Sequence, residues 1–221
     1  MGKKILSSND ALGIQILDLQ DRDSYSENIE KAVQALLAGR IVAFPTETLY
    51  GLGVNAHNRD AIENLYRVKE RPEEKKMAIM VTDSEAVKEW VRELPPAAEK
   101  LMKLFWPGPL TIVLLLPDMT TIGFRNPDNR VIRDIIRCAG VPIASTSANI
   151  SGSQPAIDAQ QVAAYLGDKI DLVLDDGPTQ LKKPSTVVKV YRETFEIIRH
   201  GIIQEERISR CIHEDSLSLR S

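Results

Sequence analysis

Cysteine and histidine are scarce in this chain: Cys138 and Cys211, and His57, His200 and His213, are all that 221 residues contain. The cysteines show no CxxC spacing and follow expected helical runs, so they read as small buried or half-buried thiols of a reducing compartment. The histidines lie far apart, which argues against a histidine-built metal cage, and no metal is assigned to protein side chains. No run approaches about 18 apolar residues, and MGKKILSSND holds no stretch of signal-peptide length. It also misses the myristoylation pattern, because Leu6 stands where Ser or Thr is needed. The expectation is a cytoplasmic protein without a membrane partner. A basic surplus is missing too: net charge is −3, so a polyanion has to be met by local groups. There is no G-x-x-x-x-G-K-[ST], which excludes a P-loop ATPase, and there is no internal repeat or low-complexity segment.

What is present is the composition of an ordinary globular core, 43% hydrophobic and 27% charged, with a length that fits one domain. Ser24-x-x-Glu27 reads as a capping box for a helix that presents Ile29, Ala32, Val33, Leu36 and Leu37 on one face and stops at Gly39. Ile41 to Phe44 reads as a strand buried on both faces and ended by Pro45. Asp60-x-x-Glu63 opens a helix that delivers Lys69 and Arg71 before Pro72 blocks it. A strand from Met77 to Val81, helices around Ala86 to Val91 and Ala97 to Phe105, and a strand from Leu110 to Leu116 follow. The second half alternates likewise: strand Ile122 to Arg125, helix Val131 to Cys138, strand Val141 to Ala144 and helix Asp158 to Leu166. Strands Asp171 to Leu174, Thr186 to Val190 and Phe195 to Arg199 come last. The alternation implies an α/β protein, and the three closing strands without helices between them imply a mixed sheet. From Ser209 the chain is polar and expected to fray.

The candidate site residues gather where these elements end, the places at which a scaffold presents polar groups. Thr46, Glu47, Thr48 and Tyr50 put four hydrogen-bonding side chains after a buried strand, either as caps of that strand or as ligand contacts at the carboxyl end of a sheet. Gly51 to Ala56 formally matches G-x-G-x-x-A, but six residues separate it from the strand and no helix starts inside it, so it reads as a turn. Arg67, Lys69, Arg71, Lys75 and Lys76 are five cations in ten residues. They read either as a solvated surface that favours the helix dipole or as a triphosphate clamp, in which a bidentate guanidinium sits beside an ammonium. Ser145, Thr146, Ser147 and Asn149, and then Ser185 and Thr186, are either caps or grips for phosphate and ribose oxygens. Asp175 and Asp176 before Gly177-Pro178 read as a turn.

In combination, Pro45-Thr46-Glu47-Thr48-Leu49-Tyr50-Gly51-Leu52-Gly53, Lys69-Glu70-Arg71-Pro72, Ser147-Ala148-Asn149 and Ser185-Thr186-Val187-Val188 resemble the YrdC-like threonylcarbamoyl-AMP synthase family. Trp106 to Thr111, Ile122 to Arg125 and Ile197 to Gly201 also look like family segments, so the resemblance runs from about Ser24 to Gly201. It implies one α/β domain, residues 24–201, with a twisted mixed sheet flanked by helices around a deep polar cavity. An extension, residues 1–23, precedes it, and a helix with a frayed tail, residues 202–221, follows, as in the minimal single-domain form. It implies an enzyme that joins L-threonine, bicarbonate and ATP, with Mg²⁺, into threonylcarbamoyl-AMP and pyrophosphate. The product would pass to a tRNA threonylcarbamoyl transferase; direct tRNA contact stays open. Carried over by position, Thr48, Arg125 and Ser185 contact threonine with backbone near Ser145, while Lys69, Arg71, Lys75, Thr121, Ser147, Asn149 and Arg199 bind ATP. Lys69 and Arg71 would carry the catalysis. Three positions depart from the family pattern: Met80 where one branch has a threonine-contacting histidine, Asn126 for an apolar residue, and His200 for a frequent proline. An RNA-binding module and a paralogous carbamoyl-adenylate enzyme are the alternatives.

Overall fold

A computed structural model describes residues 14–72, 74–192 and 194–213. The element order is β1 (Gln15–Asp18), α1 (Tyr25–Leu37), β2 (Val42–Phe44), β3 (Gly51–Asn55), α2 (Arg59–Val68), β4 (Ala78–Met80), α3 (Glu85–Lys88), α4 (Pro96–Phe105), β5 (Leu110–Leu115) and β6 (Thr121–Arg125). It continues with α5 (Arg130–Ala139), β7 (Ile143–Ser147), α6 (Ala159–Leu166), β8 (Leu172–Asp175), β9 (Thr186–Val190), β10 (Phe195–Arg199) and α7 (Glu205–His213). The strands form one sheet, ordered β1-β8-β2-β3-β7-β4-β6-β5-β9-β10. It is mixed as expected: β8 runs parallel to β1 and β2, β4 to β6 and β5 to β9, while β3 and β7 are antiparallel to their neighbours.

Alternation along the strands divides the apolar residues into two cores. Leu52, Val54, Ile79, Ile112, Leu114, Phe124 and Val188 point to one face, under α2, α4, α6 and α7. On the other face Leu17, Val42, Phe44, Met80, Ile143, Leu172 and Leu174 pack beneath α1 and α5. That second core stops midway across the sheet. Beyond it the same face carries Ser145, Ser147, Ala78, Gly123, Arg125 and Thr111, small or polar residues that no apolar cluster claims.

Several local readings are corrected. Gly51 to Asn55 is a strand, not a turn. It escapes the sequence pattern because its glycines have no side chains, and the reason for them is tertiary: a Cβ on Gly53 would lie 2.5 Å from Ile143 Cγ2 and 2.6 Å from the Phe44 ring. β1 was missed as well, being a short parallel edge strand inside the expected extension. The capping box at Ser24 does not form. Ser24 Oγ bonds Asp21 Oδ2 at 3.0 Å, Glu27 pairs with Lys31 at 2.7 Å, and Leu37 is exposed. The Asp60 box is replaced by Asn58, whose side chain accepts from Ala61 N, while Glu63 pairs with Arg59. The helix expected over Ala86 to Val91 is the single turn α3. Cys138 is exposed on α5, whereas Cys211 is buried, and both are free. Ser209 does not begin a frayed tail: α7 runs to His213 with Cys211 and Ile212 buried, and residues 214–221 lie outside the described residues.

The strands β8 and β9 follow one another in sequence but sit far apart in the sheet, so residues 176–185 cross between them. This segment lies over the loop after β2, through Leu181 N to Glu47 O (2.9 Å) and Tyr50 Oη to Gly177 O (2.8 Å). The Asp175-Asp176 pair does form a turn, with Gly177 N donating to Asp175 Oδ1. No helix among the described residues is long and apolar enough to cross a membrane.

Gly53→Ala tests the strand assignment. The added methyl overpacks Phe44 and Ile143 and should lower unfolding free energy by about 1–3 kcal/mol in chemical denaturation. A midpoint equal to that of the parent would show that Gly53 sits in an open turn.

Candidate functional site

The site forms on the bare half of the sheet from four loops and strand ends. α2 ends at Lys69, and Glu70 then takes a left-handed conformation, φ +51°, which reverses the chain and sends Lys69 and Arg71 different ways. Lys69 is only 1% exposed. Its ammonium donates to the carbonyls of Ser147 and Asn149 (2.8 Å to the second), to Asn149 Oδ1 and, at 3.3 Å, to Ser147 Oγ. Ser147 Oγ donates to Asn149 Oδ1 at 2.7 Å, and Asn149 Nδ2 to Ser153 O at 2.6 Å, which closes the knot. Burial, with Arg71 as a second cause, pushes the Lys69 ammonium down to about 7. The four oxygens around it favour the proton against that drift.

The solvated-surface reading therefore fails for Lys69, though it describes Lys75 and Lys76, whose side chains are exposed. Arg71 is half-buried, with Nε on Lys75 O at 2.6 Å and Nη2 on Lys76 O at 3.0 Å. Loss of water around the guanidinium lowers its pKa from the ordinary arginine value.

The second half of the site centres on Arg125, at the end of β6. Nη2 donates to Glu47 Oε1 at 2.8 Å and to Thr48 Oγ1 at 2.9 Å, and Nε reaches Gly108 O at 3.4 Å. Both ion-pair side chains are buried, 7% and 5% exposed. Thr46 keeps the capping role: its hydroxyl donates to Leu49 O at 2.6 Å and accepts from the amides of Thr48 and Leu49. The hydroxyls of Thr46 and Thr48 lie 2.8 Å apart, and Thr48 Oγ1 also accepts from Arg125.

Arg125, Thr111, Val187 and Arg199 form one row across β6, β5, β9 and β10. Arg199 folds over Ser185, with Nε and Nη2 on its carbonyl (3.1 and 3.0 Å) and Nη2 on its hydroxyl (3.0 Å). Ser185 Oγ also lies 3.0 Å from Thr111 Oγ1. Although Arg199 is exposed as a residue, its guanidinium is sheltered, and that partial burial, then Arg125, then Arg71, lower its pKa. Gly201 permits this packing, since a Cβ there would stand 2.4 Å from Ser185 C and Thr186 N. Lys69, Arg71, Arg125 and Arg199 thus converge closely enough to feel one another, and Glu47 is the carboxylate paired among them.

Of the other expected residues, Ser145 lies between Gly53 and Ala78 in register, its hydroxyl buried and without a hydrogen-bond partner among the described residues. Thr121 begins β6, four residues from Arg125 on the same face, and pairs in register with Leu115. Of the three departures, Met80 packs in the second core opposite Arg125, Asn126 Nδ2 holds Thr82 O at 2.7 Å, and His200 is exposed. Thr111 was not singled out, and Glu47 was named among the polar residues after β2 without an assigned role. Glu47 stood in plain view among the polar residues after β2, but its pairing spans 78 residues of sequence. A cleft of about 580 Å³ beside α1 and one of about 400 Å³ between α3 and α4, the second reaching Asn126, are lined by neither Lys69, Ser147 and Asn149 nor Arg125 and Glu47. Neither is the deep polar cavity expected above.

Comparison with known proteins identifies the family. A family model described as telomere recombination, covering Sua5, YciO and YrdC proteins, matches residues 34–201. The threonylcarbamoyl-AMP synthase of Bacillus subtilis is 36% identical over 207 residues, which is 89% of this chain and 60% of that protein. That of Marinobacter nauticus is 35% identical over 171 residues, 72% of this chain and 89% of the relative. The crystal structure of P. abyssi Sua5 complexed with L-threonine matches with a TM-score of 0.85 at 33% identity, over 90% of this chain and 61% of that one. The chain thus spans about three fifths of two of these relatives and most of the third.

Arg125→Met should cost about 3–5 kcal/mol, because it leaves the Glu47 charge buried and alone. Adding Glu47→Gln to that variant should recover part of the loss in denaturant titrations. A single variant as stable as the parent would mean that the pair is hydrated.

Proposed function

The chain belongs to the Sua5, YciO and YrdC family, and from that premise we propose that it makes threonylcarbamoyl-AMP and pyrophosphate from L-threonine, bicarbonate and ATP. The observation that carries this is the Lys69 knot: a dehydrated ammonium held by Ser147 and Asn149, with Arg71 and Arg199 near enough to shift and be shifted. Four cations against one carboxylate are unfavourable by themselves and suit a ligand with several negative charges. ATP supplies them on one side. On the other, Arg125 takes the threonine carboxylate, and Thr48 and Ser185 take its hydroxyl. Ser145 adds backbone contact. Lys75 and Thr121 extend the nucleotide side.

In this reading the threonine ammonium first gives up a proton, and the free amine and bicarbonate then give a carbamate with loss of water. A carbamate oxygen then attacks the α-phosphorus: the O–P bond forms as the bond to the β-phosphate oxygen breaks, and its electron pair leaves on pyrophosphate. No side chain acts as nucleophile. The protein contributes alignment and neutralisation of charge on the leaving group, the work of Lys69, Arg71 and Arg199. No group of three or more His, Cys, Asp or Glu side chains among the described residues suits a metal ion, so Mg²⁺ enters on the phosphates of ATP and adds to that neutralisation. A carbamate decomposes in water, so the bound ligands themselves close the site. The reaction belongs to the cytoplasm, where a tRNA threonylcarbamoyl transferase takes up the adenylate.

Mass detection of threonylcarbamoyl-AMP, made only when all three substrates are present, tests the proposal. An RNA-binding module would release no pyrophosphate, and equal turnover of valine would move the reading to a paralogous enzyme. Lys69→Ala and Arg71→Ala should each lower turnover by about 10²–10³-fold, with Arg71→Lys a partial rescue. Near-parental rates in both alanine variants would remove the cluster from the site.

Binding of a non-hydrolysable ATP analogue should also be linked to protons. With Lys69 near 7 in the free protein, a triphosphate beside it raises that value, so binding at pH 8 takes up protons. Below about pH 6 the lysine is already charged in both states and its share vanishes. Calorimetry in buffers of different ionisation heat should show this uptake at pH 8, and Lys69→Met should lack it. Identical uptake in both proteins would mean that Lys69 does not face the phosphates.

A further inference from the structure

Glu47 uses only half of its carboxylate. Oε1 accepts from Arg125 Nη2 at 2.8 Å, whereas Oε2 is buried and has no hydrogen-bond partner among the described residues. A carboxylate oxygen out of water without a donor is costly, and such atoms in a native fold call for a reason. The loop itself supplies none, because the amides of Thr48 and Leu49 are both directed to Thr46 Oγ1. Arg125 shows the converse condition. Nε and Nη2 are engaged, and Nη1 donates no hydrogen bond among the described residues.

A free acceptor on a carboxylate beside a free donor on the guanidinium paired with it is complementary to a zwitterion. An α-carboxylate answers the guanidinium and an α-ammonium answers the carboxylate. Thr48 Oγ1, bonded to the same Nη2, adds a hydroxyl at the same spot. We propose that Glu47 Oε2 receives the α-amino group of the amino-acid substrate, so that Glu47 touches the substrate and does more than hold Arg125. This rests on the reading of that substrate as L-threonine. It gives the site a means of requiring an amine, the group that must be carbamoylated, before adenylation can begin.

The test compares L-threonine with (R)-3-hydroxybutyrate, which is threonine without its amine, in titration calorimetry on the parent protein and Glu47→Gln. Glutamine keeps the size of the side chain and one oxygen for Arg125. The parent should prefer L-threonine by about tenfold or more, as for a hydrogen bond to a charged group. In Glu47→Gln that preference should largely disappear, while affinity for (R)-3-hydroxybutyrate stays within about threefold. Equal weakening of both ligands would show that Glu47 acts only through Arg125 and would overturn the proposal, as would an unchanged preference. Should the variant not fold, the parent alone still decides against it if it binds the two ligands equally. Failure of the parent to bind L-threonine at all would instead overturn the substrate reading on which the proposal rests.

Discussion

A guanidinium is buried at tolerable cost only if its charge is answered and part of its donor set is met, and Arg125 shows how much structure that requirement recruits. Glu47 and Thr48 come from the loop after β2, and the Gly108 carbonyl comes from the turn before β5. Gly108 N in turn bonds Asn126 O, next to the arginine itself. The loop after β2 is held by the Thr46 turn below and by the crossing segment above, through Leu181 and the buried Tyr50 hydroxyl. Removing one partner would leave an uncompensated charge in a dry setting, a far larger loss than that of an exposed ion pair. The arginine therefore fixes the mutual positions of segments that are remote in sequence.

The same physics governs the knot around Lys69. Lys69 stays buried because two carbonyls, an amide oxygen and a hydroxyl replace its water. The glycines of β3 matter here at one remove. By leaving room for the Phe44 ring they let β3 lie flat against β7, which puts Ser147 in register with Gly51 and within reach of Lys69. Four cations held near one another lower the stability of the empty protein, and that unfavourable proximity is relieved when an anion arrives.

What the amino-acid order determined by itself was the periodic part of the fold and the chemistry of the loops. Amphipathic runs such as Ile29, Ala32, Val33 and Leu36, and apolar strands such as Leu110 to Leu115, declare themselves because burial acts on each residue at fixed spacing. Thr48, Lys69, Ser147, Asn149 and Ser185 were legible as polar residues at element ends. Only the tertiary structure decided the rest. β3 became a strand because its neighbours needed room that glycine provides, and β1 because β8 offered an edge. Lys69 turned inward while Lys75 and Lys76 stayed outside, a distinction that depends on the left-handed turn at Glu70 and on oxygens almost 80 residues away. Glu47 and Thr111 acquired their partners across 78 and 74 residues for the same reason. Pairing of buried charge is a property of where segments meet, and no local pattern encodes it.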